Sequence, residues 1–251
     1  MKGKKALRVS RIVVGLQILF VASFIVVSLF YSSFFSLAAD YDLVIANGRV
    51  IDPETQLDGR KHIGIRDGTI VAISDQSLNS DVIIDATDLV VAPGFIDVHS
   101  HSPTVLGQHF NVLDGVTTQL DLEAGAFPVS FYGEHLRAGA AINYGSSVGH
   151  FAVRIKVLEG IDQPYIFAGE KTVVMGSPAW MQEATREQIE QMRVLLHKGL
   201  DEGGLGIGVL LDYMTEAVSD AELAMLFEVA AAREVPIYVH VRRGYTGDPA
   251  G

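Results

Sequence analysis

No cysteine occurs anywhere in the 251-residue sequence, so it holds no disulfide framework, no thiolate nucleophile and no thiolate metal ligand. Any metal must be held by His, Asp or Glu. Cations are scarce: 19 Lys and Arg stand against 30 Asp and Glu, a net charge of -11. Five of the cations (Lys2, Lys4, Lys5, Arg8 and Arg11) fall in the first 38 residues, which contain no acid, so the remainder carries -16. A body this acidic excludes the clustered Lys and Arg of a nucleic-acid-coating surface, so no nucleic-acid partner is expected. Internal repeats, low-complexity tracts and long linkers are also missing. With 49% hydrophobic residues the chain can build a sizeable core.

The N-terminus has a basic start, Met1 to Arg11, and then an uncharged apolar run from Ile12 to about Leu37. Ser36-Leu37-Ala38 and Ala39-Asp40 follow. These are the parts of a secretory signal, and the run is also long enough to span a bilayer, which takes about 20 residues. Residues 1–39 are therefore expected to be a cleaved signal peptide or a membrane anchor, with attachment through residues 12–37. Either way the body would be exported, to the periplasm or the extracellular space.

Residues 40–92 read as short strands. Leu43 to Asp52 carries Asn47-Gly48, and Ile63 to Ile73 carries Asp67-Gly68; alternating apolar residues around such pairs signal hairpins. From Gly94 the rhythm becomes strand then helix. Buried strands are expected at Phe95–His99, Val116–Leu122, Ile142–Val148, Leu205–Leu211 and Pro236–Val241. A helix over Thr185–Glu202 has Thr185 and Gln188 spaced as a capping box and an apolar stripe of Ile189, Met192, Leu195, Leu196 and Leu200. A second helix begins at Ser219, with Glu222 completing a box and Leu223, Leu226, Phe227 and Ala230 on one face. Strands separated by such helices imply parallel βαβ units, so the fold class is α/β. Five strands fit either a doubly wound sheet or most of a (β/α)8 barrel. A whole barrel takes about 250 residues, more than residues 93–251 supply, so a barrel here would be incomplete.

His99 and His101 lie at i and i+2 at a strand end, where side chains share a side. Two converging imidazoles suit a divalent metal such as zinc, and two polar residues in a loop would read the same way. In context, Ala92-Pro93-Gly94-Phe95-Ile96-Asp97-Val98-His99-Ser100-His101 resembles the signature of the metal-dependent amidohydrolase superfamily. Gly115-Val116-Thr117-Thr118 is similar to that family's second strand. Four further stretches resemble its N-acyl-D-amino-acid deacylase (D-aminoacylase) branch. They are Val148 to Arg154, Met192 to Leu196, Gly204 to Gly208 and Tyr238 to Arg242.

The resemblance implies a β-sandwich half over 40–92 and a TIM-like (β/α)8 barrel over 93–251, covering strands one to five. It implies zinc, one or two ions, as the cofactor and a small N-acyl amino acid or peptide-like substrate, with hydrolysis of its amide bond. It makes His99 and His101 ligands of one metal and His240 a ligand of the other. D-aminoacylases place an Asn-Cys-Gly triplet after the second strand. Here Glu123-Ala124-Gly125 stands instead, so Glu123 becomes the candidate bridging ligand, and the Leu-Glu-Ala-Gly ending resembles a subgroup linked to acyl-D-glutamate substrates. His150, Arg154 and Tyr213 match positions near the substrate, although packing and a surface salt bridge explain the first two equally well and an ordinary loop aromatic the third. His109, His135 and His197 read as ordinary polar residues.

The catalytic Asp and a further His of the family pattern would lie beyond residue 251, so this chain alone is expected to be an inactive fragment. Another amidohydrolase, a cyclic amidase or dipeptidase, is the alternative within the enzyme class. Those enzymes more often use a carboxylated Lys on the fourth strand, and Leu205 to Leu211 has no Lys. An inactive exported remnant is the alternative outside that class.

Overall fold

The computed structural model describes residues 40–241, apart from 102, 167–175 and 215. Residues 1–39, where an export signal or anchor is expected, and Arg242 lie outside them. Among the described residues no helix is long and apolar enough to cross a membrane. The chain divides into two compact units between Pro93 and Gly94.

The first unit is a five-stranded mixed sheet: β1 (Leu43–Asp52), β2 (Leu57–Arg66), β3 (Thr69–Ser74), β4 (Ile83–Asp85) and β5 (Val90–Val91). β1 pairs antiparallel with β2 and parallel with β4 and β5, and β2 pairs antiparallel with β3. Val44, Ala46 and Val50 alternate inward along β1, and Ile63 of β2, opposite Ile45, is buried as well. The turn at Asp67-Gly68 forms as its sequence predicts, both residues having the positive φ of a tight hairpin (51° and 71°). Asn47-Gly48 does not form a turn. Ile45 faces Ile63 and Gly48 faces Lys61, so three steps on β1 oppose two on β2, and Asn47 takes a φ of 65° inside a bulge. A left-handed residue followed by glycine serves both structures. What separates them is that inward alternation continues in phase through Val50, so the strand never reverses.

The second unit is a parallel sheet of β6 (Phe95–Asp97), β7 (Val116–Ala126), β8 (Asn143–Gly149), β9 (Ile207–Val209) and β10 (Ile237–Val239), in the order β10-β9-β8-β7-β6. Its helices are α1 (Val105–Leu113), α2 (His150–Glu159), α3 (Pro178–Met181), α4 (Arg186–Asp201) and α5 (Asp220–Arg233). This is the curled sheet of an incomplete TIM-like barrel. Val148, Ile207 and Val209 are wholly buried in one core with Phe151, Met192, Leu196, Leu226 and Val229 of the helices. β6 stops at Asp97, two residues earlier than its apolar run suggests, because the Asp97 carboxylate accepts the His99 N–H at 3.0 Å and turns the chain.

α4 starts as its sequence predicts. Thr185 Oγ1 accepts the Gln188 N–H at 3.2 Å, and the Gln188 side chain accepts the Thr185 N–H at 2.8 Å. Thr185→Ala should cost about 1 kcal/mol and lower the melting temperature by roughly 2–4 °C in a thermal scan. No measurable shift would mean that this cap adds nothing to stability. α5 differs from expectation. Ser219 Oγ accepts the Glu222 N–H at 3.4 Å, but the Glu222 side chain turns into the protein instead of back to the cap. The buried face is Glu222, Met225, Leu226, Val229 and Ala230, while Phe227 is 56% exposed.

Candidate metal centre

The candidate metal ligands stand at or near the ends of parallel strands. His99 and His101 follow β6. Glu123 sits on β7, and His240 follows β10, its N–H donating to the Val209 carbonyl at 2.9 Å. The turn after β9 (Asp212–Met214) brings Tyr213 beside His240, with ring centroids 4.8 Å apart, and the Asp212 N–H donates to the His240 carbonyl at 3.1 Å. His99, Glu123 and His240 line one pocket of about 600 Å³, walled by Val98, Leu122 and Val241.

The distances within the group are short. His99 Nε2 and His101 Nε2 are 3.1 Å apart, and Glu123 Oε2 is 3.5 Å from each. Two ligand atoms at zinc's usual bond length from a tetrahedral centre stand about 3.4 Å apart, so these three atoms have the mutual spacing a single zinc ion requires. Two nitrogen donors and one carboxylate form a donor set that zinc accepts. The other oxygen of Glu123, Oε1, is 2.6 Å from His240 Nδ1. One carboxylate thus has an oxygen toward each imidazole group. Its side chain is 13% exposed, which restricts competition from water.

Two residues that the motifs do not mark support this group. Asp121, 1% exposed, places Oδ2 at 3.1 Å from His101 Nδ1. That hydrogen bond raises the His101 pKa; burial opposes the shift, and the charges of Asp121, Glu123 and Asp97 add to it. Tyr132, also buried, donates its hydroxyl to the Ser100 carbonyl at 3.1 Å and fixes the segment between the two histidines. Burial pushes its hydroxyl pKa far upward, so it stays a neutral donor. An acid two residues from Glu123, between Leu120 and Leu122, was the available signal for Asp121. Tyr132 left none.

His150 and Arg154 are placed elsewhere. Both are fully buried on α2 and neither lines the pocket. His150 Nε2 lies 2.7 Å from Glu222 Oε1, and Arg154 is ion-paired with Glu222 Oε2. Arg154 also donates to the carbonyls of Ala179 (2.6 Å), Ala217 (3.1 Å) and Gln182. The ion pairing is therefore with Glu222 in the interior, not the surface salt bridge that was one expectation. Of the other histidines, His109 is exposed and His197 half-buried, and neither belongs to the group that could hold a metal.

A half-barrel of parallel strands with imidazoles and a carboxylate gathered at its carboxyl edge defines the amidohydrolase type of α/β protein. Comparison with known proteins agrees. The chain is 32% identical over 216 residues to N-acyl-D-glutamate deacylase of Alcaligenes xylosoxydans xylosoxydans, covering 80% of this chain and 44% of that protein. To D-aminoacylase of the same organism it is 28% identical over 213 residues, covering 72% and 40%. Among solved structures, N-acyl-D-glutamate deacylase from Bordetella bronchiseptica, complexed with zinc and a phosphonate inhibitor, superposes with a TM-score of 0.64 at 26% identity, covering 80% of this chain and 45% of that one. No family model matches. The chain resembles the metal-dependent amidohydrolase superfamily and is D-aminoacylase-like within it. It spans less than half the length of these relatives.

Proposed function

We propose that this site serves zinc-dependent hydrolysis of the amide bond in N-acyl-D-amino acids, with acyl-D-glutamate-type compounds as the preferred class. The observation that carries the reading is the convergence of His99, His101 and Glu123 at zinc-ligand spacing, with His240 on the far oxygen of the same carboxylate. In this reading His99 and His101 would hold one zinc, His240 would hold a second, and Glu123 would be shared between them. Bound there, zinc supplies a Lewis acid that polarises an amide carbonyl and brings the pKa of water near neutrality. The chain's own residues do the rest. Asp121 orients His101, and the half-exposed Tyr213 ring offers an apolar surface beside His240 to a substrate's acyl chain. The work would be done outside the cytoplasm, as the basic and then apolar start of the sequence suggests.

Zinc titration of the metal-free full chain, followed by calorimetry, tests the reading. We expect uptake of at least one equivalent with micromolar or tighter affinity. His99→Ala and His101→Ala should each weaken it at least 100-fold while the circular dichroism stays unchanged. N-acetyl-D-glutamate should then bind the zinc-loaded chain and ignore the metal-free one. A folded wild-type chain that takes up no zinc would overturn the proposal.

A further inference from the structure

We infer that Asp121 is the positioning residue of this site: its one buried carboxylate sets both the imidazole of His101 and the strand bulge that aims Glu123. The inference deepens the zinc-binding reading and rests on it.

The backbone shows why such a residue is needed. β7 and β8 run in register from Thr118↔Asn143 to Asp121↔Ser146, and pairing resumes only at Ala126↔Val148. β7 therefore takes five steps where β8 takes two, and Leu122 to Gly125 form a bulge that lifts Glu123 out of the ladder toward the histidines. Bulges re-aim side chains in this way, at the expense of ladder hydrogen bonds. Here Asp121 Oδ1 accepts the Gly125 N–H at 3.0 Å and closes the bulge. Gly125 itself has a φ of 72°, and a Cβ there would lie 2.5 Å from Ser147 Oγ, so a glycine must occupy the turn.

The second oxygen works on the opposite side. Asp121 Oδ2 is 3.1 Å from His101 Nδ1, and the backbone of the histidine segment is tied to the same strand by the His99↔Asp121 bridge and by the Ser100 N–H to the Leu120 carbonyl at 3.0 Å. An ionised carboxylate only accepts hydrogen bonds, so it calls for the ring proton on Nδ1. That leaves the lone pair on Nε2, the atom facing His99 and Glu123. Metal-binding histidines commonly receive this service from a carboxylate on the other ring nitrogen. Asp121 adds to it by holding the Glu123 turn with its remaining oxygen, so the two halves of the donor set cannot drift independently.

Asp121→Asn tests the inference because it keeps the shape and removes one acceptor. The amide has one oxygen and one NH2 group, so one partner must lose its bond. If the NH2 group meets His101, it donates to Nδ1 and drives the ring proton onto Nε2, where it blocks metal binding. For the full chain we expect zinc affinity to fall 10–100-fold. We also expect ¹⁵N-histidine NMR of the metal-free wild type, at a pH high enough for the ring to be neutral, to show His101 as the Nδ1–H tautomer, with Asp121→Asn shifting it toward Nε2–H. Tyr132→Phe, which loosens the same segment through Ser100 alone, should leave the tautomer unchanged. Wild-type zinc uptake with unchanged affinity in Asp121→Asn overturns this inference and leaves the zinc reading standing. Absence of zinc uptake by the wild type overturns both. Should Asp121→Asn fail to fold, the wild-type spectrum decides: His101 found as Nε2–H, or as an even mixture, overturns the inference.

Discussion

Arg154→Met should destabilise the chain by about 3–5 kcal/mol near neutral pH, several times the cost of losing the Thr185 cap. The guanidinium has no exposed surface and serves four acceptors: the Glu222 carboxylate and the carbonyls of Ala179, Gln182 and Ala217. Methionine fills much of the volume but leaves a buried carboxylate with only His150 beside it, and leaves three carbonyls short of a donor. Breaking one partner of a buried pair costs far more than the pair itself contributes. A Glu222→Leu/Arg154→Met double variant should therefore recover part of the loss, because it no longer buries an unmatched charge. Urea unfolding of the four proteins of this cycle measures the coupling. A single-variant loss below about 1 kcal/mol would show that the cluster is dispensable.

The same cluster fixes a pH dependence. Burial pushes the Glu222 pKa upward, but the hydrogen bonds and charges of His150 and Arg154 outweigh it, so the folded value lies below the ordinary one of 4.5. A carboxyl group with a depressed folded pKa contributes stability that is fully present above its unfolded pKa. That contribution is lost as pH falls through the folded value. The gap between wild type and Arg154→Met should thus be widest near neutrality and should narrow below about pH 4.3, as Glu222 becomes protonated in both. A gap independent of pH would mean that lost packing, not charge, carries the effect.

This buried cluster and the metal site show what a sequence can and cannot reveal. The strand-helix alternation after Gly94, the start of α4 and the His99/His101 pair were legible because each rests on local rules of periodicity, capping or spacing. Glu222 was misread for the same reason. Ser219-x-x-Glu222 satisfies the local pattern of a capping box, and only the arrival of α2 against α5 supplies the stronger competing partner, a cation 68 residues away. One clue was present: His150 and Arg154, four residues apart on the otherwise apolar start of α2, share a face and demand a buried counter-charge. The β7 bulge was hidden more deeply. Leu120, Leu122 and Ala124 continue the alternation of an ordinary strand, and the two-step path of β8 beside it is a tertiary fact. Asn47-Gly48 shows the reverse case, in which a strong hairpin signal was absorbed by a strand already committed to pairing on both sides.

Glu123→Gln should reduce zinc affinity on the order of 100-fold or more, about 2.8 kcal/mol, without unfolding the chain. The carboxylate presents Oε2 at 3.5 Å to His99 and His101 and Oε1 at 2.6 Å to His240. Glutamine can offer an oxygen to only one of these sides, and its NH2 group, a donor without a free lone pair, must face the other. It also removes the negative charge that balances a divalent ion among neutral imidazoles. If the carboxylate serves both sides, stoichiometry should fall together with affinity, from two equivalents toward one. Glu123→Asp sharpens the test. It keeps the charge but is one methylene shorter, so it should retain binding on one side and lose the bridge. Calorimetric titration of wild type, Glu123→Gln and Glu123→Asp separates the outcomes. Equal affinity and equal stoichiometry in all three would remove Glu123 from the donor set and leave the two histidines to hold the ion alone. Among soft-ligand-free sites with only two imidazoles, such binding would be weak, so even this result would be visible as low affinity in the wild type.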